Sequence, residues 1–405
     1  MDSSTEVGFF RLITLSPGRW ADEICCTLKP YNRFRDQFPP YKALSYVWGR
    51  WGRRNIPEIL VNGNKVKVTT NLEAALKHLR EQEKEITLWI DALCIDQSNI
   101  PERSSQVAQM REIYSIASEV IIFLGSEQNC TKSNPRSSES QRPLEKFGIG
   151  PTDALLARQN FDIWKTSPLK VPVQAFEVFS LLTIIAGYES SSSLLKLPKD
   201  IPEAHMAAFC EALRCTLLVP WWERIWVVQE AVVAKNITLR YSNASVSWEL
   251  LVKVAEVSSR WEDGYGEYRT FISASDLKVF NLFSRVSSLN QFRRNWKESG
   301  GADILSLLRN FGHRKASDDR DRVYALLGLC NQGISIQPDY QLDVTEVYTA
   351  PIIQTIKSTK SLSVLYGDHS RKGRHDLSSW VPDWSANLDE DERRRAELFT
   401  LYDAC

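Results

Sequence analysis

Ile86-Thr87-Leu88-Trp89-Ile90 is a compact apolar run that reads as a β-strand buried on both faces. The loop at 91–100 leads from it to Pro101, and proline suits the first turn of a helix. The helix that follows carries Val107, Met110, Tyr114 and Ala117 on one side. Val120-Ile121-Ile122-Phe123-Leu124 is a second buried strand, closed by Gly125. Strand, helix and strand in this order, with near-continuous apolar strands, predict a parallel α/β unit with a right-handed crossover.

Upstream, residues 9–15 and 23–28 are short apolar runs that read as strands, and Pro39-Pro40 then punctuates the chain. Residues 41–48 are a third strand, ending at Gly49. Ile59-Leu60-Val61, Asn62-Gly63 and Lys65-Val66-Lys67-Val68 form a hairpin signal, because Asn-Gly supplies the positive φ angles of a tight turn. Thr70 and Glu73 are read as the capping box of a helix striped by Leu72, Ala75, Leu76 and Leu79. Downstream, residues 126–150 are rich in Ser, Asn, Pro and charge and read as a mobile insertion. Helical patterns follow at 174–185, 203–218 and 222–234, and a short strand pair at 236–247. From Trp248 onward the pattern is mainly helical, at 248–257, 276–289, 304–311, 320–329 and 344–357, with Pro351 expected to kink or split the last. The charge blocks at 389–395 read as a solvated helix face.

The chain has 405 residues, 43% hydrophobic and 25% charged, which excludes a mostly disordered polymer. Fifty basic residues balance fifty acidic ones, which removes the general electrostatic case for nucleic acid. The longest apolar stretch, near 178–186, falls short of the roughly 20 residues of a membrane span. The acidic, polar start lacks the pattern of a secretory signal. Eight scattered cysteines without a Cys-x-x-Cys pair then read as reduced cytosolic thiols.

Open parallel sheets bind ligands beyond the carboxyl ends of their strands. Two such ends are loaded here: Ser45-Tyr46-Val47-Trp48-Gly49-Arg50-Trp51, and Trp89-Ile90-Asp91-Ala92-Leu93-Cys94-Ile95-Asp96-Gln97. The next helix starts with Glu102 and Arg103, and its amides favour an anion. Each residue also has a structural reading. Asp91 and Asp96 suit turn caps, Glu102 suits the helix dipole, and Arg103 suits a surface ion pair. Trp48 and Trp89 suit a core, and Cys94, without a nearby histidine, suits a buried thiol. Phosphate-loop, Gly-x-Gly-x-x-Gly, His-Glu-x-x-His and Gly-x-Ser-x-Gly motifs are absent, and the five histidines lie far apart. A metal site is therefore not expected.

Taken in order, several blocks resemble the fungal heterokaryon incompatibility (HET) domain family. They are Ala43-Leu44-Ser45-Tyr46-Val47-Trp48-Gly49, Leu88 through Gln97, Glu102 through Met110 with Ile113, Tyr114 and Ala117, and Trp222-Glu223-Arg224-Ile225-Trp226-Val227-Val228-Gln229-Glu230. Asp321 through Leu329, Pro338-Asp339-Tyr340 and Ser379 through Ser385 resemble segments that often accompany the domain. The resemblance implies a HET domain at 41–235, between the N-terminal β segment read at 1–40 and the mainly helical region read at 236–405. It also implies a flavodoxin-like front domain similar to the Toll/interleukin receptor fold. Family members often continue beyond the Trp-Val-Pro-Asp-Trp block, so the stop at Cys405 reads as a truncation.

The function implied by the resemblance is a cytoplasmic effector of growth arrest or programmed death when unlike hyphae fuse. It would act as a signalling module through a protein partner or self-association, without nucleic acid or a membrane span. A second reading is an NAD glycohydrolase, with NAD as substrate and no further cofactor. Its oxocarbenium-like transition state needs a carboxylate, with Glu102 the first choice and Asp91 the second. Ser45, Tyr46, Trp48, Asp96 and Arg103 would hold the ligand, through ring stacking and phosphate contacts. A third reading is an inactive, truncated relative.

Overall fold

The computed structural model describes residues 5–49, 56–126, 145–148, 150–168, 173, 175–187, 201–262, 277–331, 333, 335–360, 362 and 372–386. Among the described residues ten strands form one sheet. They are β1 Phe9–Leu15, β2 Cys25–Asn32, β3 Lys42–Tyr46, β4 Glu58–Val61, β5 Asn64–Lys67, β6 Ile86–Trp89, β7 Glu119–Gly125, β8 Glu145–Phe147, β9 Ile237–Tyr241 and β10 Ala244–Ser247. Their order across the sheet is β5-β4-β2-β1-β6-β3-β7-β9-β10-β8.

The apolar strands lie in the middle, as burial on both faces requires. β3 runs parallel to β6, with Ala43 opposite Trp89, and parallel to β7, with Ser45 opposite Ile122. β7 in turn runs parallel to β9. The unit read from 86–124 is therefore parallel, and β3 lies between its two strands. Antiparallel pairs extend it, since β1 pairs with both β2 and β6, and β9 pairs with β10. The sheet is thus mixed. It takes strands from 1–40, from the HET-like stretch and from 236–247 alike.

Asn62 and Gly63 carry φ of 50° and 78° and close the β4–β5 hairpin as their sequence demands. α1, Thr70–Leu79, is capped one residue earlier than expected. Thr69 is the cap, its hydroxyl accepting from the Leu72 amide at 3.3 Å, and Glu73 pairs with Lys77 instead. Either threonine can cap, and the helix selects the one with extended backbone. α2, Asp91–Cys94, follows β6 directly. α3, Ile100–Ile116, is capped by Asn99, which accepts from the Glu102 amide at 3.1 Å, and has Pro101 in its first turn. β8 lies inside the stretch read as an insertion and pairs with β10, while residues 127–144 lie outside the described residues.

Helices α4 Pro151–Thr166, α5 Ala175–Ala186, α6 Glu203–Leu217, α7 Trp226–Val232, α8 Trp248–Glu262, α9 Leu277–Ser299, α10 Ile304–Phe311, α11 Asp321–Leu327 and α12 Val344–Thr359 follow among the described residues. The helix expected at 222–234 is two pieces, a 3-10 turn at Pro220–Glu223 and then α7. α12 runs through Pro351 as one helix rather than splitting there. The α/β front followed by a mainly helical region matches the expectation. The 389–395 charge blocks lie outside the described residues. Cys25, Cys26, Cys94 and Cys330 are free thiols. Cys215 is disulfide-bonded, which departs from the reading of reduced thiols throughout.

Candidate functional site

Parallel pairing sends β3 and β6 out of the sheet at the same end. The two loaded segments after them therefore meet. The Trp48 indole N–H donates to Asp91 Oδ2 at 2.7 Å. Trp48 is 38% exposed and Asp91 is half-buried, so this pair faces outward. Beneath it, Ser45 and Glu230 are 1% and 2% exposed. The Ser45 hydroxyl accepts from Trp221 Nε1 at 2.7 Å and donates to Glu230 Oε2. Tyr46, 1% exposed, offers its backbone carbonyl to Arg224 Nη1.

Arg224 is the charge that both carboxyls share. Burial raises the Glu230 carboxyl to about 7, while Arg224 and hydrogen bonds from Ser45 and Tyr114 draw it down. The Asp91 charge pushes it further up. Burial also raises Asp91, against Arg224 and the Trp48 indole. Burial drives the Tyr46 hydroxyl well above its ordinary value. Two carboxyls, buried Glu230 and half-buried Asp91, thus share the field of one guanidinium beyond ion-pair distance, and burial lets Glu230 bind a proton near neutrality.

Glu102 has a different environment. Its carboxylate is 2% exposed and takes both Arg11 nitrogens, at 2.6 and 2.9 Å. Glu102 Oε1 also accepts from the Asp96 amide at 2.8 Å, and Arg11 reaches the Cys94 carbonyl at 3.0 Å. This bidentate pair fastens the loop after α2 to β1. Asp96 caps the next turn, accepting from Ser98 Oγ at 2.6 Å and the Ser98 amide at 3.0 Å. Those two hydrogen bonds lower its carboxyl.

Arg103 faces the helical region. Its guanidinium lies 3.5 Å from the Tyr340 ring centroid and 3.4 Å from Asp318 Oδ2. The Tyr340 hydroxyl donates to Asp321 Oδ1 at 2.5 Å, and Arg320 Nη1 holds the Tyr340 carbonyl at 2.6 Å. Close by, the Gln229 amide, with its nitrogen facing Ala325, donates to the Ala325 carbonyl at 3.1 Å and accepts from the Arg111 amide at 3.0 Å. A Cβ on Gly328 would meet Gln229 Cδ at 2.8 Å and Arg111 Cβ at 2.9 Å. α3, α7 and α11 therefore form one tight seam.

Of the residues read from sequence, Ser45, Tyr46, Trp48 and Asp91 come together. Glu102 and Asp96 form a neighbouring bracket, and Arg103 belongs to the seam. Arg224 and Glu230 were quoted within a block but not singled out. Their chemistry is legible only once the fold brings Glu230 to Ser45, 185 positions away. Among the described residues no group of three His, Cys, Asp or Glu is placed to hold a metal ion. No described helix is long and apolar enough to cross a membrane.

Residues 41–230 match the family model described as heterokaryon incompatibility protein (HET). The matched span begins just before β3 and ends at Glu230, the residue that closes the buried cluster. The chain is also 26% identical to "Heterokaryon incompatibility protein 6, OR allele" of Neurospora crassa. That alignment covers 96% of this chain and 59% of the relative, so the chain spans about three-fifths of the relative's length. No solved structure matches. Neither match supports the Toll/interleukin receptor alternative. The ordered blocks, the sheet that gathers them and the family match identify residues 41–230 as a HET domain, in a chain similar to a fungal heterokaryon incompatibility protein.

Proposed function

We propose that the chain is a cytoplasmic effector of vegetative incompatibility whose HET domain works as a signalling and recognition module. Its output is growth arrest or programmed cell death. It acts by binding a protein partner or a second copy of itself. The observation that carries this reading is that the polar residues of the site are satisfied by one another. Ser45 is held by Trp221 and Glu230, Asp91 by Trp48, and Glu102 by Arg11. Side chains satisfied by one another fix a shape, which is what a recognition surface requires. Trp48, exposed at the rim, is the type of residue that anchors interfaces. The Neurospora relative's name supports the biological setting.

The test is inducible expression in a filamentous fungus, alone and together with any genetically linked locus. Hyphal extension and uptake of a viability dye are scored. Arrest or death on induction is expected in at least one setting. Normal extension at high expression in both settings overturns the proposal.

A further inference from the structure

A groove of about 620 Å³ opens where α8 and α9 meet the ends of α4 and α5, lined by none of the residues of the Ser45–Glu230 cluster. Cations dominate its lining, with Lys235, Lys253, Arg293, Arg294 and Lys297 against Glu249 and Glu256. Several are already engaged. Lys253 pairs with Glu256 at 3.6 Å, and Lys235 Nζ donates to the Ile116 carbonyl at 3.3 Å. Arg293 is 7% exposed and donates to the carbonyls of Ala231, Ala234 and Lys235 at 3.3, 2.7 and 3.1 Å. It caps the end of α7, and its full charge stays in the wall of the groove.

Arg294 and Lys297 differ. They stand three positions apart on α9, hence on one face, and both are exposed. Neither is paired with a carboxylate among the described residues. Glu249 is the acidic counterweight for Arg293 and Lys297, and it acts at longer range than an ion pair. Burial lowers the Lys297 ammonium, and the Arg293 charge lowers it further. Positive charge is crowded into a concave site whose volume falls within the range of small-ligand pockets, roughly 300–1,000 Å³. A concavity of that size suits a molecule rather than a flat polymer surface, and separated cations suit several phosphates rather than one.

We propose that this groove binds a small polyphosphate-bearing ligand, with Arg294 and Lys297 as its free anchors and Arg293 as the fixed charge behind them. Inorganic pyrophosphate and a nucleoside triphosphate share that chemistry. The full chain is titrated with each by calorimetry at constant ionic strength. Saturable binding of pyrophosphate assigns the site to the phosphates, and binding of ATP alone assigns it to phosphates plus nucleoside.

In the double variant Arg294→Ala/Lys297→Ala, the Kd for the bound probe is expected to rise about tenfold or more. A control double variant on the opposite sheet edge, Lys65→Ala/Lys67→Ala, is expected to leave it unchanged. If the first variant melts early, Lys297→Gln alone gives the same contrast against the control. No saturable binding of either probe overturns the proposal. So does equal weakening by both variants, which would mark diffuse attraction to positive charge.

Discussion

Glu230 makes the most quantitative prediction. Its carboxyl is raised from 4.5 to about 7 in the folded chain, chiefly by burial. A carboxyl raised on folding holds its proton more tightly in the native state. Its contribution to stability is therefore fully present below the unfolded pKa and is lost as pH rises through the folded one. The window runs from about pH 4.5 to pH 7. Glu230→Gln removes the titration and keeps nearly the same shape. The stability of wild type minus that of Glu230→Gln should fall by about 2–3 kcal/mol between pH 5 and pH 8. Taking this difference cancels the other carboxyls, although Asp91 is relieved of one like charge in the variant. Urea midpoints measured across that range, with the slope checked for constancy, provide the readout. A difference that stays flat to within about 0.5 kcal/mol would refute the claim that burial holds this proton.

Further predictions concern the supports around the site. Arg11→Ala leaves the Glu102 carboxylate buried without its cation. It should lower stability by about 3 kcal/mol in urea unfolding, near the low end for a broken buried pair because Arg11 is partly exposed. Gly328→Ala forces its new methyl group against Gln229 and Arg111. It should cost about 1–3 kcal/mol in the same assay and raise hydrogen exchange along α3 and α11. Tyr340→Phe removes the hydroxyl that donates to buried Asp321. A loss of about 1–3 kcal/mol is expected, read by the same midpoints.

How much of this was legible beforehand depends on the range of each interaction. The β6–α3–β7 unit was readable because hydrophobic periodicity is local. The β4–β5 turn was readable because Asn62-Gly63 carries its own backbone preference. The capping choice between Thr69 and Thr70 was not, since both offer the same hydroxyl and only the backbone angles separate them. α4 carries no clear sequence signal, because it follows the Ser-rich stretch and its apolar residues do not form one stripe: Leu155 and Ile163 are exposed, Phe161 is buried. At the site, strand-end logic brought Ser45, Trp48 and Asp91 together. It could not supply Arg11 for Glu102, 91 positions away, nor Glu230 for Ser45, because no local pattern spans such distances. Arg103 likewise finds Asp318 across 215 positions. The accompanying segments around Asp321–Leu327 and Tyr340 thus have a physical role, since they grip the helix that follows the central block.

The account rests on Arg224 and Glu230 forming one electrostatic unit that closes the HET fold around Ser45 and Asp91. A double-mutant cycle on Arg224→Gln and Glu230→Gln, read as unfolding free energy at pH 8, tests this directly. A coupling of about 1 kcal/mol or more is predicted, with the double variant destabilised by less than the sum of the singles. Strict additivity, to within about 0.3 kcal/mol, would contradict it.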